Sequence, residues 1–136
     1  MDSAIEDALT NSEEIELVTT GRVSGRPHSV HLRFAYEDGT LWLRTGERPP
    51  SPDASGVRRR SSVDRETDWL RNLEHDPRCQ VRIGRAEIQA RYEPSTDPAA
   101  DLRRTVALLR AKYGPEWVAD WYVEMGRIPV KLRLVP

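Results

Sequence analysis

The side chains of this chain that could do chemistry are arginines, histidines and tryptophans rather than paired acids or nucleophiles. Arg22 and Arg26 flank a glycine turn, His28 and His31 follow on an alternating stretch, and Arg58, Arg59 and Arg60 run into Ser61 and Ser62. Guanidinium groups fork onto phosphate or carboxylate through charge-assisted bonds, so these clusters suit an anionic ligand. From composition alone the Arg58–Arg60 run reads first as a solvated, mobile loop and only second as a ligand-binding one. His28 and His31, three apart on a strand, point to opposite faces and have no partner at ligand spacing, which argues against a metal site. Cys79 is the one cysteine, which rules out an internal disulfide and a multi-cysteine zinc centre; it alternates with Val81 and Ile83 and reads as core. No G-x-G-x-x-G or Walker loop follows a strand, and residue order alone yields no Ser-His-Asp arrangement. Binding residues without an evident catalytic acid point to chemistry supplied by a cofactor.

The elements that must position these groups are readable from pattern. Ile15 to Thr20 is rich in β-branched residues and Gly25-Arg26-Pro27 breaks it. His28 to Tyr36 then alternates, with Val30, Leu32, Phe34 and Tyr36 on one face. Asp38-Gly39 predicts a two-residue hairpin into Leu41-Trp42-Leu43-Arg44. This meander, with arginines, histidines and a tryptophan on its non-core face, has the look of a platform for an anionic aromatic ligand. Residues 2–12 predict a short helix that must pack on something or fray. From Gly46 to Glu66 there is no hydrophobic period, so a long loop is expected. Asp68 to Glu74 turns helical, with Trp69 and Leu73 one turn apart and Asn72 placed to donate to a ligand. A second hairpin turns at Gly84-Arg85, with Cys79, Val81, Ile83, Ala86, Ile88, Ala90 and Tyr92 inward. Asp97-Pro98 opens the clearest helix, striped by Leu102, Val106, Leu109 and Tyr113 and stopped by Gly114-Pro115. Glu116 to Met125 predicts another short helix, whose Trp117, Trp121 and Tyr122 line either core, interface or a substrate pocket. Val130, Leu132 and Leu134 alternate as a final strand. Six strands and two to four helices in an antiparallel pattern make a small α+β barrel.

With 136 residues, one domain spanning residues 1–136 is expected, with a helical segment over 1–13 and a long loop over 46–67. The net charge of -1 gives no global case for nucleic acid, and no aromatic interleaves the Arg58–Arg60 run. The basic residues are 19 Arg and 2 Lys, a bias that GC-rich coding would also produce. No apolar run approaches membrane-spanning length and the acidic start is unlike a signal peptide, so a cytoplasmic protein is expected.

Three motifs in order carry a resemblance. Thr19-Thr20-Gly21-Arg22-Val23-Ser24-Gly25-Arg26-Pro27-His28, the Asp68-Trp69-Leu70-Arg71-Asn72-Leu73 helix with Asp76-Pro77, and the ending Arg127-Ile128-Pro129-Val130 together resemble the deazaflavin-dependent nitroreductase family. That family lies within the split-barrel flavin-binding superfamily that also contains pyridoxamine phosphate oxidases. The resemblance spans roughly Glu14 to Pro136 and implies an α+β, six-stranded antiparallel split β-barrel. It also implies an oxidoreductase in which a reduced deazaflavin coenzyme (8-hydroxy-5-deazaflavin type) passes hydride to a quinone- or nitro-type acceptor. By position, Arg22 and Arg26 would lie near the coenzyme's charged tail, His28 and His31 under its ring, and Arg60 at its phosphate end, beside Arg58, Arg59 and Ser61. Trp69 and Asn72 would supply helix contacts, Thr45 and Gly46 contacts from the third strand's end, and Trp117, Trp121 and Tyr122 a substrate cover. His28 stands where relatives carry arginine, and His31 where they carry proline. Alternatives are an FMN-dependent oxidoreductase on the same barrel, or a non-catalytic split-barrel protein holding a flavin-like or haem-like ligand. A homodimer fits the superfamily's habit.

Overall fold

The computed structural model describes residues 3–46, 62–114 and 127–135. Their strands are β1 (Glu14–Thr20), β2 (Pro27–Arg33), β3 (Ala35–Glu37), β4 (Thr40–Gly46), β5 (Arg78–Ile83), β6 (Ala86–Glu93) and β7 (Arg127–Val135). Three helices accompany them: α1 (Ser3–Asn11), α2 (Ser62–His75) and α3 (Pro98–Tyr113). All strand pairs are antiparallel, in the order β2-β1-β5-β6-β7-β4-β3.

The sheet therefore has seven strands where six were expected. The difference lies in His28–Tyr36, which alternation alone reads as one strand. Val30, Leu32, Phe34 and Tyr36 keep the expected inward parity, but the residues before Phe34 pair with β1 and those after it with β4, so the strand divides into β2 and β3. These two are the terminal strands of the sheet order and are joined through Phe34 alone, which requires the sheet to curl until its two margins meet. The expected continuous platform from Ile15 to Thr45 is accordingly not one surface. β1 and β2 pair at one margin, while β3 and β4 pair at the other.

The seam is held by the last turn of α3. The Tyr113 hydroxyl accepts from Phe34 N at 3.2 Å, lies 3.0 Å from Phe34 O and also bonds Glu13 O. Lys112 Nζ donates to Phe34 O at 3.2 Å and sits 3.6 Å from the Phe34 ring centroid, a cation–π arrangement. Half-burial of this amine lowers its pKa to about 8.

Alternation predicts the core well. Ile15 and Leu17, Leu41 and Leu43, Cys79, Val81 and Ile83, Ile88 and Ala90, and Val130, Leu132 and Leu134 fill the inner face. α1 adds Leu9, with Ile5 and Ala8 packed beside it, and α2 adds Trp69, Leu70 and Leu73. Burial pushes the Cys79 thiol up to about 12, so it stays protonated and behaves as a small hydrophobe. Asp97 caps α3 by accepting from Ala100 N at 3.2 Å, and Gly114, at φ +103°, ends it. Helix α2 begins at Ser62, inside the stretch expected as loop. Its first two turns, Ser62 to Trp69, are mostly polar in sequence, so no helical hydrophobic period marks them.

Candidate functional site

The residues singled out by type converge in part, at the β1–β2 turn. After β1, Gly21 N donates to Arg26 O at 2.8 Å and Gly25 N to Gly21 O at 2.9 Å, closing a tight loop. Gly25 takes φ +70°, a conformation that glycine adopts without strain. Ser24 Oγ accepts from Arg26 N at 3.1 Å and stands 3.3 Å from His28 Nε2. The loop is thus cross-braced by its own serine.

From the other side, the C-terminal turn of α2 reaches the loop. Asn72 Oδ1 accepts from Arg22 N at 3.2 Å and from Arg22 Nη1 at 3.0 Å. Its Nδ2 donates to Thr19 Oγ1 at 3.1 Å. Asn72 and Thr19 are buried, at 4% and 2% exposure, and Trp69, Leu70 and Leu73 seat the helix in the barrel. One buried amide therefore joins β1, the β1–β2 turn and α2.

Gly21, Arg22, Val23, Ser24, His28 and Asn72 enclose a pocket of about 220 Å³. Beside it runs a more open groove of about 590 Å³ that shares the turn and adds Asp76 and Arg78. Arg78 holds Asp76 in a two-pronged pair, both bonds 3.1 Å, which keeps that carboxyl below its usual range. A third groove of about 440 Å³ continues over the outer face past Thr20, Gln80 and Gln89. Gly21 is forced by close approach: a Cβ there would lie 2.6 Å from His28 Nε2 and 2.7 Å from Ser24 Oγ.

Arg22, His28 and Asn72 are thus brought together, and Arg26 belongs to the same turn. His31 is not. It lies on the opposite face of β2, with its Nε2 3.6 Å from Glu16, which also pairs with Arg82 at 3.0 Å; Arg82 in turn meets Glu87 at 3.3 Å. This row of polar and charged side chains crosses four strands through registered pairs. Trp69 is core, at 3% exposure, and its indole N–H has no hydrogen-bond partner among the described residues. Thr45 and Gly46 end β4, paired through their backbones to Ile128 and Arg127. Arg58, Arg59, Arg60, Ser61, Trp117, Trp121 and Tyr122, and the helix expected over Glu116 to Met125, lie outside the described residues. Sequence reasoning passed over Gly21, Ser24 and Thr19 as site residues. The available signal was the Thr-Thr-Gly-Arg run, where a glycine directly follows a strand. Among the described residues no cluster of His, Cys, Asp or Glu could hold a metal ion. No helix among them is long and apolar enough to cross a membrane.

A curled antiparallel sheet whose first hairpin turn and second helix line an arginine-bearing pocket defines a split barrel. Solved structures carry the same fold. A protein described as a candidate 5-nitroimidazole antibiotic resistance protein of Bacteroides thetaiotaomicron superposes with a TM-score of 0.69 at 14% identity, covering 100% of this chain and 81% of that one. An F420 reductase gives 0.66 at 15% identity, covering 96% and 93%. The conserved hypothetical protein Rv2991 of Mycobacterium tuberculosis gives 0.66 at 22% identity, covering 100% and 81%. At these identities the likeness concerns fold. No curated protein matches the chain. The family model of F420H(2)-dependent quinone reductases matches residues 2–118, and the chain belongs to that family. It is a deazaflavin-dependent oxidoreductase, as the resemblance implied.

Proposed function

We propose that this enzyme transfers hydride from reduced F420 to a quinone- or nitro-type acceptor, with the coenzyme's anionic end held at the β1–β2 turn. The observation that carries the reading is the convergence of Arg22, His28 and the braced turn on one pocket in a member of this family. The donor set fits such a coenzyme. Arg22 at the pocket suits phosphate and carboxylate groups, Arg26 joins it from the same turn on sequence grounds, and the adjoining groove gives length for an extended tail. When bound, the coenzyme supplies the hydride that no side chain of the protein can provide. Arg22 and Arg26 orient its charged end, joined on sequence grounds by Arg58, Arg59, Arg60 and Ser61. Trp117, Trp121 and Tyr122 cover the acceptor and exclude water. His28 Nε2 and Ser24 Oγ, 3.3 Å apart in the same pocket, add hydrogen-bonding groups for the coenzyme's charged end. Two copies of the chain associate, with these sites near the interface.

The test is a titration with F420 and with FMN followed by tryptophan fluorescence, then addition of a quinone or a nitroaromatic to protein holding reduced F420. F420 binding with coenzyme oxidation that depends on the acceptor is expected. FMN preference, or binding without oxidation, would overturn the proposal. Light scattering on the purified protein reports the association.

A further inference from the structure

We infer that Asn72 is a positioning residue that acts through Arg22: it fixes the guanidinium at the pocket mouth and takes no coenzyme atom itself. This inference rests on the F420 reading above. Asn72 is 4% exposed and its oxygen is already committed. An amide oxygen offers two lone pairs, and both face one residue, Arg22 N at 3.2 Å and Arg22 Nη1 at 3.0 Å. One of its two amide N–H donors goes to Thr19 Oγ1, itself buried in β1.

The geometry is a clamp. A single acceptor holds Arg22 by its backbone and by the far end of its side chain, so the guanidinium is folded back over its own turn. The acceptor is stationary because Trp69, Leu70 and Leu73 anchor α2 in the core and Thr19 holds the amide's other end. An arginine side chain loses much rotamer freedom when a ligand immobilises it. Here that loss is met on folding, and pre-organisation of this kind raises affinity without adding a contact. The reach is long in sequence, 50 residues to Arg22, yet local in space. The Trp-x-x-Asn-Leu spacing follows from it: Trp69 and Leu73 turn into the barrel and Asn72 is left facing the turn.

The decisive measurement is a double-mutant cycle on F420 affinity at low salt, using Asn72→Ala, Arg22→Met and both together. Asn72→Ala is expected to weaken binding about tenfold and Arg22→Met at least as much. The double variant should be no more than about twofold weaker than Arg22→Met alone. If the two losses multiply, Asn72 contacts the coenzyme independently and the inference is wrong. Should Asn72→Ala not fold, Asn72→Ser, too short to reach Arg22, takes its place. A second arm needs no coenzyme: amide hydrogen exchange of the Gly21–Arg26 turn should quicken in Asn72→Ala. It should stay slow in Asn72→Asp, whose carboxylate accepts from Arg22 while the Thr19 hydroxyl turns to donate. Unchanged exchange in Asn72→Ala would also overturn the inference. If the wild-type protein binds no F420, the functional reading fails, and the exchange arm alone decides whether Asn72 holds Arg22.

Discussion

Gly21→Ala probes the tightest point of the site. Gly21 has no positive φ, so alanine fits its backbone, and the obstacle is space. The new methyl would stand 2.6 Å from His28 Nε2, 2.7 Å from His28 Cδ2 and 2.7 Å from Ser24 Oγ, against ordinary contact from 3.4 Å. The imidazole must retreat by 3.4 minus 2.6, or 0.8 Å. Overpacking of this kind costs roughly 1–3 kcal/mol. Replacing glycine by alanine regains about 0.4–1 kcal/mol through the unfolded chain. The net expectation is a loss of about 1 kcal/mol, read as a lower urea midpoint at unchanged slope. His28 is exposed, so His28→Ala alone should change stability by less than about 0.5 kcal/mol. In the His28→Ala background two of the three close contacts vanish and Ser24 Oγ at 2.7 Å remains, so Gly21→Ala should cost clearly less than in the wild type. Equal cost in both backgrounds would refute the steric account.

The seam and the core give further tests. Tyr113→Phe removes the hydroxyl that bonds both backbone groups of Phe34 and should cost about 1–3 kcal/mol by urea unfolding, with faster amide exchange at Phe34. Lys112 has a folded pKa of about 8 against an ordinary 10.5, so between these values the unfolded chain binds more protons and stability from this group rises with pH. Discounted for the half-exposed amine, the rise from pH 7 to 10 should be on the order of 1 kcal/mol, and Lys112→Met should flatten it. A persistent rise in that variant would assign it to another group. Cys79, with its thiol pushed up to about 12 and buried, should resist thiol reagents at pH 8 in the folded protein and react at once in denaturant.

Strand alternation made most of the barrel legible. The Cys79 to Tyr92 hairpin and the Val130-Leu132-Leu134 strand have their inner residues where period two puts them. α3 was equally readable because its cap and stop, Asp97 and Gly114, are local signals. What escaped were features decided at a distance. The change of strand partner at Phe34 is held by Tyr113 and Lys112, 79 and 78 residues away, and no local pattern announces it. The early turns of α2 escaped because mostly polar turns carry no apolar period. At the site, Arg22, His28 and Asn72 could be chosen by type, but only coordinates reveal that Asn72 is engaged by Arg22, or that Gly21 is required by the imidazole. His31 shows the converse: residue type suggested a ligand contact, and its strand parity sends it to the outer charge row.

Because the margins of the sheet are consecutive in the chain, the cylinder is shut by a covalent hinge rather than by a ladder. Length at that point is then a parity switch. One extra residue between Arg33 and Ala35 would exchange the two faces along β3, turning Tyr36 away from the core and bringing Glu37, now paired with Arg104 of α3, toward it. Loops elsewhere in such a molecule can absorb insertions. This junction cannot, and chain length there is as constrained as side-chain identity in the core.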